Sequence, residues 1–283
     1  MKWPDLIVAT ATALVTVRSG NIAVVQRRSP FDLFFGITWD DERLWTTCGF
    51  SATGSIIAEF DRGLNHVRDL PVKARNIHQI IWRKHKGQLY ATLTEDNQVA
   101  TVDLKTGQHT VVYESGGSVE SGVGEDHPNS VWFDHDGLMY VVGHRQSTRF
   151  NRPSRIRVIN GAWALREMYI GRCCHNVYME HGSLYTCDSA NWAFVEVNGW
   201  TGDRHSVDLN GFTRGLARVP GGFVVGVSDD TPRESRKSGD SRLVLLDDRL
   251  RIVDAVEMRG FGGVEDLRAL GVSDPSHNGI VFP

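Results

Sequence analysis

Residues 127–145 read HPNSVWFDHDGLMYVVGHR. A polar entry leads into the apolar run Val131-Trp132-Phe133. The turn Asp134-His-Asp-Gly137 follows, and then a second apolar run, Leu138 to Val142. Short apolar runs separated by a Gly-containing turn are the mark of a β-hairpin. The unit recurs upstream as HQIIWRKHKGQLYATLTE from His78, and as FGITWDDERLWTTCGF from Phe35. Downstream it returns as HNVYMEHGSLYTCDSA from His175, as TRGLARVPGGFVVGVSDD from Thr213, and as HNGIVF from His277. With Phe35, His78, His127, His175, Arg214 and His277 as anchors, the intervals are 43, 49, 48, 39 and 63 residues. Their mean of about 48 matches the roughly 40–50 residues of a four-stranded propeller blade.

The repeat predicts an all-β fold, a six-bladed β-propeller forming a single domain over 1–283. The first strand of each unit should line a central channel. The last copy supplies one strand only, whereas Leu6 to Arg28 carries strands without an entry of their own. The expected closure therefore pairs N- and C-terminal strands in one sheet, which removes exposed edges. Five blades with a partial extra sheet is the competing count. The long last interval is assigned a polar loop, Asp229 to Ser241, and a segment from Phe261 to Pro275 with a short helical turn near Glu265–Leu270.

Composition narrows the function classes. Lys and Arg total 31 against 34 Asp and Glu, giving a net charge of −3, with no footprint for nucleic acid. No apolar run reaches the roughly 20 residues that span a bilayer. Lys2 before the apolar stretch Leu6–Val17 has the outline of a signal peptide, but Pro4 and Asp5 interrupt it and the stretch reads well as strands. Of the four cysteines, Cys173 and Cys174 are adjacent, a poor geometry for pairing. Free thiols point to a reducing, cytoplasmic compartment.

Four of six strand entries are His: His78, His127, His175 and His277. In a propeller these entries gather at one channel mouth, together with the ends of the second strands, which include Glu95, His144, Arg145, Asp188 and Asp229. Converging imidazoles suit a divalent transition metal, Zn, Fe, Mn or Cu. The expected ligands are His78, His127, His175 and His277, with His144 and Glu265 as extra donors and Asp188 and Asp229 orienting imidazoles. The competing reading is His residues that merely fill a wet channel. Cys173-Cys174-His175 adds a thiol beside an imidazole, and strand alternation lets at most one of the two thiols face the channel. Cys48 and Cys187 read as core. Arg214, Arg145 and Arg172 are candidates to bind a carboxylate or phosphate; for the set, an ion pair with Glu125, Asp126 or Glu265 on a neighbouring loop is the alternative. Arg233 and Arg236 read as solvated loop charge. Trp39, Trp82, Trp132 and Tyr178 should pack between blades.

HPNSVWFDHDGLMYVV and HNVYMEHGSLYTCD resemble blades of the NHL and SMP-30/strictosidine-synthase-like six-bladed propellers. The C-terminal third, TRGLARVPGGFVVGVSDD through SRLVLLDDRLRIVDAVEMRGFGGVEDLRALG to SHNGIVFP, resembles a poorly characterised bacterial propeller family. Lactonases, peptidyl-hydroxyglycine lyases and streptogramin lyases of the broad class carry a divalent metal at the channel mouth, so the resemblance implies the same location here. The acidic ligand pattern of the calcium lactonases is not evident.

The expected function is a metal-dependent lyase, hydrolase or isomerase acting on a small metabolite bearing a carbonyl or carboxylate. In it the metal is a Lewis acid, His78, His144 and Arg214 are catalytic, and Arg214 anchors an anionic group. The alternative is a non-catalytic propeller that binds a peptide or partner protein. A carbohydrate module would rest on Trp163, Trp192 and Trp200.

Overall fold

The computed structural model describes residues 2–28, 33–51, 54–115, 126–144, 146–147, 150–161, 163–199, 201–229, 237–273 and 281–282. Six four-stranded antiparallel sheets stand around a common axis. Blade 1 joins Val264–Ala269, Leu6–Thr10, Ala13–Arg18 and Asn21–Arg27, from the axis outward. Blade 2 runs Phe34–Trp39, Arg43–Ser51, Gly54–Asp61 and His66–Val72. Blade 3 runs Ile77–Arg83, Gln88–Leu93, Gln98–Val102 and His109–Glu114. Blade 4 is Pro128–Phe133, Met139–Gly143, Ser154–Asn160 and Trp163–Ile170. Blade 5 is Cys174–Glu180, Ser183–Asp188, Ala193–Asn198 and Arg204–Asp208. Blade 6 is Phe212–Val219, Gly222–Ser228, Ser241–Asp247 and Ile252–Glu257.

The ring closes through N- and C-terminal strands, as the repeat requires, but with a different inner strand. Val264–Ala269 pairs antiparallel with Leu6–Thr10. The place expected for a strand from His277 is thus taken by Val264–Ala269, and no helical turn forms at Glu265–Leu270. His277 itself lies outside the described residues. With Glu265 as the sixth anchor, the last interval falls from 63 to 51 residues and joins the blade range. Phe282 is buried against Trp39, with ring centroids 5.6 Å apart.

Inner strands are wedged between neighbours and bury both faces, so they read as continuous apolar runs. Outer strands face solvent: Trp163–Ile170 is mostly exposed. The aromatic residues expected between blades stand there, with Trp45–Trp82 centroids at 5.4 Å and Trp132–Tyr178 at 5.1 Å. Inner backbones approach so closely that a Cβ on Gly36 would lie 2.6 Å from Gln79 Cα.

Every blade carries a register shift near the entry of its inner strand: after Phe34, Ile77, Pro128, His175 and Thr213, and opposite Ala9/Thr10 in blade 1. Such bulges re-aim side chains. Here they turn polar groups onto the neighbouring blade. Asp266 accepts from Ile37 N–H, and Thr38 Oγ1 from Trp82 N–H. Gln79 accepts from Val131 N–H, and Ser130 Oγ from Asn176 N–H. Asn176 Oδ1 accepts from Gly215 N–H, and Arg268 donates to Leu216 O. Each of the six blade junctions thus has a side-chain-to-backbone hydrogen bond near the axis, buried at all but the Thr38–Trp82 junction. Asn176 also donates to Asp266 at 3.2 Å, across blade 6. Asp266 is fully buried; desolvation raises its carboxyl above the ordinary range, against the pull of Arg268.

Two outcomes are expected. Asn176→Ala removes side-chain bonds to Gly215 and Asp266 and should cost about 2–3 kcal/mol, from buried groups left unpaired, measured by chemical denaturation. In blades 2, 3 and 6, Asp61, Asp103 and Asp247 cap the outermost hairpins. Asn65, the N–H groups of Lys105 and Thr106, and Arg251 hold their carboxyls below the ordinary range. A folded pKa below the unfolded one stabilises above the unfolded value, about 3.9, and the gain is lost as pH falls through the folded value. Melting temperature should therefore drop below about pH 4, and Asn at these three positions should flatten the drop.

Candidate functional site

At one mouth of the channel the bulges place an arc of rings. Phe35 stacks on His78 at 5.1 Å, and His78 meets His127 at 5.4 Å. His127 meets His144 at 5.0 Å, His144 meets His175 at 5.1 Å, and His175 meets Phe212 at 5.6 Å. The chain of contacts runs from blade 2 to blade 6. Arg214 lies over Phe35 with its guanidinium carbon 5.5 Å from the ring centre, and it pairs with Glu265.

Within this arc, His144, Cys173 and His175 offer donor atoms that all lie within 4.8 Å of one another. Cys173 and His175 are 3% and 5% exposed, while His144 is half-buried. His144 Nε2 is in direct contact with Cys173 Sγ. His144 follows the second strand of blade 4; the other two flank the entry to blade 5, so the group straddles a blade junction.

Local geometry brings them together. Cys173 adopts a left-handed φ of 55°, which is uncommon for a residue with a Cβ. This breaks the strand alternation, so that Cys173 faces the mouth while Cys174 turns inward, its thiol donating to Ile170 O. The turn before it, Gly171-Arg172, is braced by Asp188, which accepts from Arg172 N–H at 2.7 Å. A Cβ on Gly171 would stand 2.4 Å from that carboxylate. Ser154 couples the two halves: its hydroxyl donates to His144 O and accepts from Cys174 N–H. His175 Nδ1 lies 2.8 Å from Ser189 Oγ.

The sequence-derived candidates divide. Of the four imidazoles expected around a metal, His175 alone belongs to the converging group. His78 and His127 stand beyond it along the arc, and His277 and Arg145 lie outside the described residues. His144, expected as an extra donor, is in the group. Arg214 is 5% exposed and committed to Glu265, so an anion could reach it only by breaking a buried ion pair. Asp188 braces backbone and Asn191 rather than an imidazole, and Asp229 accepts from Asp240 N–H in an exposed hairpin. Arg172 is exposed. Trp163 is 77% and Trp192 40% exposed, but Trp163 sits on an outer strand, far from any cluster of aromatics at the mouth; Trp200 lies outside the described residues. Sequence reasoning underrated Cys173, whose orientation depends on a left-handed backbone, and passed over Ser189 and Ser154. The Cys173-Cys174-His175 juxtaposition was the available signal.

The fold defines the class: a six-bladed β-propeller. No family model matches the chain, and no curated protein matches it. Solved structures show the fold. The nidogen/laminin complex contains a chain with 11% identity and a TM-score of 0.68, covering 94% of this chain and 98% of that one. A protein of unknown function from Bacteroides caccae gives 12% identity and a TM-score of 0.66 over the same shares. Virginiamycin B lyase from Staphylococcus aureus gives 14% identity and a TM-score of 0.52, covering 80% of this chain and 69% of that chain. Among the described residues, no helix is long and apolar enough to cross a membrane.

The four thiols are not equivalent. Burial pushes the Cys174 and Cys187 thiols well above their ordinary range, and Cys48 is 1% exposed. Thiolate, not thiol, is the nucleophile. Alkylation of the folded protein after metal chelation, followed by peptide mass spectrometry, should modify Cys173 first, beside its imidazole, and the other three only on unfolding.

Proposed function

We propose that the mouth is the active site of a metal-dependent enzyme, a lyase, hydrolase or isomerase, acting on a small polar metabolite that bears a carbonyl or carboxylate. The observation that carries this reading is the convergence of one thiol and two imidazoles from two blades. The donor set fits a borderline-soft divalent ion, zinc, copper or iron, better than a hard oxygen-seeking one. Three protein ligands leave a further coordination position, the arrangement of catalytic rather than structural zinc sites. A bound ion would supply Lewis acidity toward the substrate oxygen.

The chain's own residues account for the remainder. Ser154 and Asp188 hold the two ligand-bearing segments in register. Phe35 and Phe212 close the two ends of the arc against water. His127 and His78, half-buried and next along the arc, are placed to accept or return a proton at an imidazole nitrogen. Arg214, paired with Glu265 and lying over Phe35, shapes the wall opposite the donor group; no anchoring of substrate is assigned to it.

A second reading is favoured by a different observation. One fold neighbour comes from a nidogen/laminin complex, and Trp163, Leu165 and Tyr169 expose apolar surface on the outer strand of blade 4. In that reading the propeller binds a peptide or protein, and the mouth needs no ion.

Elemental analysis of the purified protein separates the two. About one equivalent of zinc, copper or iron is expected. Cys173→Ala and His175→Ala should abolish it, and His78→Ala should retain it with the fold unchanged by circular dichroism. A metal-free protein that takes up no ion on reconstitution overturns the enzyme reading.

A further inference from the structure

Ser189 opens the three-residue turn Ser189–Asn191 after the second strand of blade 5 and is fully buried. Its hydroxyl oxygen meets His175 Nδ1 at 2.8 Å, and the hydroxyl donates to the carbonyl of Thr213, in the entry of blade 6. A hydroxyl has one proton, and a carbonyl can only accept. With the Ser189 proton on Thr213 O, the contact to His175 is a hydrogen bond only if Nδ1 carries a hydrogen.

Blade 3 contains the same hydroxyl-to-carbonyl joint. Thr94 opens the turn Thr94–Asp96, and its hydroxyl donates to Pro128 O of the next blade at 2.7 Å. Both turns end in a left-handed residue, Asn97 at φ 56° and Trp192 at φ 60°. The hydroxyl-to-carbonyl bond is thus a device of blade-to-blade packing that recurs in a second blade. Its direction is set by the fold before His175 is considered.

We infer that Ser189 is the positioning residue of the candidate metal centre: it keeps a hydrogen on His175 Nδ1, so that the ring can offer a metal cation only its Nε2. The consequence for metal rests on the proposed function; the tautomer does not. Partners of this kind orient a ligating imidazole, and their removal weakens metal binding by about 10–100-fold. The assignment also divides the arc by role. With its Nε2 given to a metal, His175 would be unavailable for proton exchange, which leaves that role to His127 and His78.

Long-range proton–nitrogen correlation spectra of the metal-free, nitrogen-15-labelled full chain test this directly. Wild-type His175 should show a single tautomer with the proton on Nδ1 at neutral pH. Ser189→Ala should release it to a mixture or to the other tautomer. Ser189→Thr should restore the wild-type signature, because Thr94 occupies the equivalent place in blade 3. In parallel, the dissociation constant for zinc should rise about 10–100-fold in Ser189→Ala and stay close to the wild-type value in Ser189→Thr. A wild-type His175 protonated at Nε2 overturns the inference without any variant, as does a signature unchanged in Ser189→Ala. A fixed Nδ1–H tautomer in a protein that takes up no zinc, copper or iron supports the tautomer assignment and overturns the metal reading of the mouth.

Discussion

The hydrogen bonds that cross the six blade junctions at the axis are the constraint on which the rest depends. A propeller packs its sheets by apolar faces, and apolar contact has no direction. Rotation of one blade against the next would cost little if Val, Leu and Trp side chains alone held them. Asp266, Thr38, Gln79, Ser130, Asn176 and Arg268 supply the missing direction, each tying its inner strand to a backbone group of a neighbour. Buried donors and acceptors that must find partners allow one register and penalise the others. The bulge at each entry makes this possible, because it frees a backbone group from the sheet and turns a side chain toward the axis in the same step.

The candidate site is a by-product of that arrangement. The bulges that send Gln79 and Asn176 to neighbouring blades also aim His78 and His175 at the mouth. The donor group then forms where two blades meet rather than on one strand, so its geometry inherits the rigidity of the junction. Ser154 and Ser189 show the economy of this placement, since each hydroxyl serves a blade-to-blade bond and a residue of the site together.

Much of the fold is legible in the chain because the repeat is spaced by blade length and because entry residues are polar in an otherwise apolar strand. Five of six inner strands follow from that pattern. The sixth does not, for a physical reason. Val264-Glu-Asp-Leu-Arg-Ala269 carries three charges in six residues yet is wholly buried, with Glu265 paired to Arg214 and Asp266 to Arg268. Hydrophobic patterning cannot recognise a strand whose burial depends on partners elsewhere in the sequence. HNGIVF looks more like an entry than this segment does, and only the spacing favours the true one. At the site, sequence could place imidazoles at a mouth but could not foresee the left-handed backbone at Cys173, which decides the side that thiol faces. Nor could it tell that Ser189, and not the carboxylate before it, meets His175.

The pairing of Val264–Ala269 with Leu6–Thr10 joins two segments about as far apart as the chain allows. During synthesis the first three strands of blade 1 leave the ribosome with their axial neighbour still unmade. Until it arrives, Leu6–Thr10 presents an open ladder of backbone groups and a buried-type apolar surface to its surroundings or to a chaperone. The other five blades can form as local meanders of low contact order, but ring closure is non-local and comes last. The nascent chain therefore stays open to edge-to-edge misassociation until the other five blades have been made and Val264–Ala269 emerges.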